Sequence, residues 1–238
     1  MAIQSDRKIN QIGSDPLKSV WKWIAVALMV YTIYGAFFIA KGAVNFVGKG
    51  DVARIVFFHV PVAVLSSICY LAGAAYALLY FFKGKSMSND AKSSICMELG
   101  LMASILATIT GSIFAGAQWG SYWNWDPREI SIVGVLLLFA AYLLLRGSVP
   151  DAIKKAQLST AFTIITLVPA NFLLWVVPRI KSLGTLHPTT VLTDASSTSP
   201  SYKLVGLAAF LGFTMLFVWL FQLRLRVLQL QDKHLKSF

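Results

Sequence analysis

The chain has 238 residues, 57% of them hydrophobic and only 13% charged, with a mean hydropathy of +0.68 and a formal net charge of +11. That balance is too apolar for a soluble domain and leaves the membrane class. The positive charge would suggest nucleic acid in a soluble chain, but in a membrane protein basic residues record orientation, so no nucleic-acid partner is expected.

Apolar runs long enough to cross a bilayer fall at about 21–40, 55–82, 97–118, 130–145, 158–177 and 204–223. They lack the alternation of barrel strands, which predicts an all-α integral membrane fold with six transmembrane helices in a single polytopic domain, 1–238. A polar segment with Arg7, Lys8 and Lys18 precedes the first run. That run is too long for a signal-peptide core and reads as a retained anchor.

The second run opens with RIVFFHVP, residues 54–61, where His59 falls at the span's start and Pro61 reads as a helix entry. Cys69 and Cys96 form no CxxC pair and read as small buried apolar residues; no CxxCH haem-attachment signature occurs. The second loop, KGKSMSNDAK at 83–92, reads as a solvated turn. Its Gly84-Lys85-Ser86 is not a phosphate-binding loop, because Leu79 stands where the first glycine is required, so ATP chemistry must come from elsewhere. Glu98, at the edge of the third run, reads as a solvated carboxylate, and Gly116 and Gly120 make a GxxxG that could mark close helix packing.

The most informative stretch is WGSYWNWDPRE, the loop at 119–129, which crowds Trp119, Tyr122, Trp123 and Trp125 into seven positions. Interfacial belts gather tryptophan too, and Trp21, Trp23, Trp175 and Trp219 near span ends fit that role. Four aromatics in seven residues exceed what an anchor needs and suit a large planar ligand. Asp126, Pro127 and Glu129 form a capping arrangement that starts the fourth span and makes the aromatic shelf rigid. Arg128 then projects a guanidinium where a ligand carboxylate could pair bidentately; Arg54, Arg179 and Lys181 are further candidates for the same contact. Beyond the fifth span, residues 178–203 hold three prolines and a Ser/Thr run and read as irregular surface, with His187 among them in SLGTLHP. After Phe221 the basic and apolar alternation of LRLRVLQLQDKHLK continues the last helix out of the bilayer. Sorting all 21 basic residues by loop gives fourteen on the side of the termini and seven on the other, which places both termini in the cytoplasm and the Trp-rich loop outside.

Three histidines occur, and His59 and His187 fall on the Trp-rich side while His234 does not. Histidine is a common axial ligand of haem iron, and two beside an aromatic platform supply both axial positions. Assembled, WGSYWNWDPRE, RIVFFHVP and SLGTLHP over six spans make the chain resemble the haem-handling proteins named for their tryptophan-rich WWD segment, and within them the haem exporter protein C (CcmC) branch of cytochrome c maturation. The Pro-Arg-Glu that follows Asp126 is closer to the related cytochrome c synthase branch; six spans without a histidine in any span interior keep the chain in the exporter branch.

The resemblance implies haem b held non-covalently at the periplasmic face of a bacterial inner membrane, with His59 and His187 as axial iron ligands. Trp119, Tyr122, Trp123, Trp125, Asp126 and Arg128 would contact the porphyrin. It implies delivery, not catalysis: haem passes to a membrane-anchored haem chaperone, assisted by ABC-type transporter subunits that supply the ATPase. Two other classes compete with this expectation. A cytochrome c haem lyase would form thioether-linked product from apocytochrome with no other factor, and a bis-histidine electron-transfer subunit would be reduced rapidly by quinol. The spans show no polar helix face, which favours receipt of haem from the bilayer or a partner.

Overall fold

The computed structural model describes residues 19–40, 52–186 and 199–235. Among these every regular element is helical, and six helices are long and apolar enough to cross a membrane. They are α1 (Val20–Tyr34, continued by a π turn Gly35–Ile39), α2 (Val56–Phe82, preceded by a 3-10 turn Val52–Ile55), α3 (Met87–Trp119), α4 (Pro127–Ser148), α5 (Ala152–Asn171, continued by a π turn Phe172–Val176) and α6 (Pro200–Leu235). The chain is a multi-pass membrane protein.

The helix count matches the sequence expectation, and the bounds differ where charge lies inside a helix. The third span starts at Met87 rather than near 97, because Asp90 and Lys92 are accommodated within it. Asp90 pairs with Arg146, and Lys92 lies 5.6 Å over the Tyr76 ring. The solvated turn therefore shrinks to the residues between Phe82 and Met87. Pro61 is not a helix entry but the sixth residue of α2, whose first turn is prepared by the 3-10 segment before it. His59 is the fourth residue of α2 and so stays at the start of the second span, as expected. Glu98 is not simply solvated: it accepts from Arg224 Nε at 2.8 Å, tying α3 to α6. The last helix runs to Leu235, well past the roughly 20 residues that a bilayer core needs, in agreement with its expected exit.

Packing follows from small residues set against large ones, the usual way membrane helices approach closely. Cα of Gly100 lies so near Phe139 that a Cβ there would meet the ring at 2.6 Å, and Gly35 is similarly close to Val205. Tyr70, Met97, Val135, Phe139, Tyr142 and Ala170 join α2, α3, α4 and α5 in one buried cluster, while Phe57, Tyr202 and Val205 join α2 to α6. Cys69 and Cys96 are free thiols buried in the bundle, as expected.

The spans do contain polar groups, which the sequence reading missed because hydroxyls barely lower hydropathy. Thr32, Thr108, Thr163 and Thr214 donate back to carbonyls one turn earlier in their own helices. Ser66 pairs with Ser104, and Tyr70 with Thr166, across helices. These bonds satisfy polar atoms where no water is at hand.

Candidate functional site

At the end of the bundle that carries the Trp-rich segment, α2, α3, α4 and the π turn after α5 enclose a cavity of about 420 Å³. Ligand pockets span about 300–1,000 Å³, so it is large enough for a sizeable organic molecule. It is lined by His59, Val60 and Val64 of α2 and by Thr108 and Gly111 of α3. Trp123, Arg128, Trp175 and Arg179 complete the lining.

The aromatic segment is not one flat shelf. Trp119 is the last residue of α3 and meets Phe114 edge to face, with ring centroids 5.3 Å apart. Gly120 ends the helix in the left-handed region (φ 81°), the conformation that glycine adopts without strain. Gly116 lies against the Tyr122 ring, so the GxxxG serves a helix end and its returning loop rather than helix–helix contact. Trp123 turns into the cavity wall and stands perpendicular to Trp125, their centroids 5.8 Å apart. Tyr122 and Trp125 face outward, 69% and 74% exposed.

Trp125 has φ +55°, a conformation that costs a non-glycine residue about 1–2 kcal/mol. The strain is held by Glu129, whose Oε2 accepts from the amides on either side, Asn124 N at 2.7 Å and Asp126 N at 3.2 Å. Glu129 thus completes the expected capping box and also sets the kink that separates Trp123 from Trp125.

Asp126 does more than cap. It is 3% exposed, and its Oδ1 accepts from Arg128 N at 2.9 Å. Its Oδ2 accepts from Leu186 N at 2.7 Å and from Thr185 Oγ1 at 3.0 Å. One carboxylate therefore clasps the start of α4 to the chain just before residue 187. Both oxygens are committed to protein donors, so Asp126 acts as a strut between two segments. His187 itself lies outside the described residues.

The basic residues divide. Arg128 lines the cavity, and its buried Nε has no protein partner; nor does Oγ of Ser131, which is 2% exposed one turn further along the same wall. Buried polar atoms left unpaired in a cavity wall are where a ligand's acceptors fit. Arg179 also lines the cavity, donating to Trp175 O at 2.6 Å with its guanidinium 5.1 Å from the Trp175 ring. Arg54 turns away to the carbonyl of Phe37, at 3.2 Å. Lys181 is a residue whose side chain lies outside the description.

Trp175, assigned from sequence to the interfacial belt, belongs to the cavity. Its Nε1 donates to Ser67 Oγ at 2.6 Å. The cause is the π turn Phe172–Val176, which widens the helix so that the consecutive Leu173, Leu174 and Trp175 all face one space. Trp21 and Trp219, by contrast, pair edge to face at the far end as a belt would.

The assembled chemistry is a pocket lined mostly by apolar side chains together with an imidazole, two indoles and two guanidiniums. It suits a flat apolar molecule with anionic substituents and a centre that accepts a nitrogen lone pair.

A family model described as heme exporter protein C matches residues 5–237 of the chain. The chain is 29% identical over 203 residues to heme exporter protein C of Bradyrhizobium diazoefficiens, covering 84% of this chain and 75% of that one. It is 24% identical over 223 residues to heme exporter protein C of Rhodobacter capsulatus, covering 90% and 88%. To the putative cytochrome c biosynthesis ccmC-like mitochondrial protein of Arabidopsis thaliana it is 28% identical over 181 residues, covering 76% and 67%.

Proposed function

The chain belongs to the heme exporter protein C family, and on that premise we propose that it takes up haem b without covalent attachment and hands it on for cytochrome c maturation. The observation that carries this reading is the cavity of about 420 Å³ that brings His59, Trp123, Trp175, Arg128 and Arg179 together at the Trp-rich end. The names of the relatives add haem export and cytochrome c biosynthesis.

The residues present fit this cargo. His59 supplies one axial nitrogen to the iron, and His187 the other. Trp123 and Trp175 lie against the porphyrin, contributing about 0.5–1.5 kcal/mol each beyond burial of area. Trp119, Tyr122 and Trp125 belong to the same Trp-rich segment without lining the cavity, and Tyr122 and Trp125 offer exposed rings to a porphyrin edge outside it. Arg128, with a buried nitrogen awaiting an acceptor, and Arg179 pair with the propionates. Asp126 serves by holding Leu186, the residue that precedes His187 in the chain. The chain's part is to bind, orient and shield the haem; it performs no bond-making step.

With both termini cytoplasmic, as the charge bias favours, the site opens to the periplasm from a bacterial inner membrane. The receiver there is a membrane-anchored haem chaperone, and ABC-type subunits of the maturation complex supply ATP hydrolysis.

Haem titration of the purified protein tests the reading. The expected product is a Soret band of six-coordinate low-spin haem. His59→Ala is expected to convert it to a five-coordinate high-spin spectrum that added imidazole reverts. A spectrum unchanged in a His59→Ala, His187→Ala double variant would defeat the proposal.

A further inference from the structure

His59 is fixed on two sides by the helix that faces it. Its Nδ1 lies 3.0 Å from Oγ1 of Thr110. The same Oγ1 lies 2.7 Å from the carbonyl oxygen of Leu106 and 3.3 Å from that of Ala107. A threonine hydroxyl has one proton and two lone pairs, and a carbonyl can only accept. The Thr110 proton is therefore spent on its own helix, and what Oγ1 offers His59 is a lone pair. With the hydroxyl proton so placed, Nδ1 carries the hydrogen and Nε2 the lone pair. On the second side stands Gly111, where a Cβ would sit 3.1 Å from Cε1 of the ring. The absence of a side chain there lets the imidazole lie against α3.

We propose that Thr110 is a positioning residue for His59: it holds the imidazole in the Nδ1–H tautomer and so makes Nε2 the nitrogen that meets iron. The inference rests on the haem-binding reading above for its consequence, though not for its geometry. An acceptor bonded to the far nitrogen of a ligating histidine fixes ring orientation and raises ligand basicity, and removing such a partner costs about 10–100-fold in metal affinity. The opposite tautomer would require Thr110 to break its bond to Leu106 and turn the proton toward the ring.

The test separates the two levels. With only three histidines in the chain, ¹⁵N-histidine NMR of the haem-free protein, assigned by difference against His59→Ala, reads the tautomer directly. The wild type is expected to show Nδ1 protonated and Nε2 unprotonated. Thr110→Val, which keeps the shape and removes the hydroxyl, is expected to lose that preference, and Thr110→Ser to keep it. In haem titrations Thr110→Val should bind about tenfold more weakly, with Thr110→Ser restoring affinity. An unprotonated Nδ1 in the wild type, or a tautomer unmoved by Thr110→Val, overturns the role of Thr110. A wild type with the expected tautomer that binds no haem overturns the haem reading, and the iron-binding role of Nε2 with it.

Discussion

Asp126→Asn is expected to lower haem affinity about 100-fold while the chain still folds and inserts. The carboxylate accepts on both oxygens, from Arg128 N on one and from Leu186 N and Thr185 Oγ1 on the other. An amide has one oxygen and one NH2, so in the variant a donor must face a donor on one side. If the oxygen stays with the α4 amide, the segment before His187 loses its anchor. Hydrogen bonds to a charged group contribute about 1.5–3 kcal/mol each. Losing the loop-side pair therefore costs about 3 kcal/mol or more, which at about 1.4 kcal/mol per tenfold gives the 100-fold figure. The helix itself is expected to survive, since loss of an N-cap costs only about 0.5–2 kcal/mol.

Hydrogen exchange separates this account from one in which Asp126 touches the porphyrin. The Leu186 amide should exchange faster in the variant even without haem. Unchanged protection of Leu186, or affinity equal to wild type, would show that the clasp does not position the second ligand.

How much of this was readable in advance depends on whether the cause is local. Six spans were legible because bilayer thickness imposes a length and apolarity that a sequence carries in each segment. The cap at Asp126 was legible because Asp, Pro and Glu stand at the spacing that a helix start requires. The inward turn of Trp175 was not, since a π turn leaves no periodic trace in a short apolar run. Nor was the clasp: Asp126 and Leu186 are sixty positions apart, and nothing in either neighbourhood names the other. Thr110 was hidden for another reason. A threonine within an apolar helix is ordinarily satisfied by its own backbone, and only the opposing His59 gives its spare lone pair a use. The early start of α3 was missed because a hydropathy window rejects charge, while the folded chain accepts charge that is paired.

That last pair carries the largest expected effect on stability. Arg146 grips Asp90 through two parallel bonds, Nη1 to Oδ1 at 2.7 Å and Nη2 to Oδ2 at 3.0 Å, joining the end of α4 to the start of α3. Asp90 is only 5% exposed. Arg146→Met is expected to destabilise the protein by about 3–5 kcal/mol, because it strands a buried carboxylate that the surroundings cannot solvate. The double variant Asp90→Leu, Arg146→Met should recover most of that loss, since an apolar pair of similar volume needs no desolvation. Recovery stops short of complete, because Asp90 lies in the first turn of α3, where a negative charge favours the helix dipole by about 0.3–1 kcal/mol. Reversible unfolding in mixed micelles, run as a double-mutant cycle, measures the coupling. A single variant no less stable than the double would mean that Asp90 finds another partner or water. The pair sits at the end of the bundle opposite the cavity, so the double variant should bind haem like the wild type; a matching loss of affinity would mean that the two ends are coupled through α3 and α4.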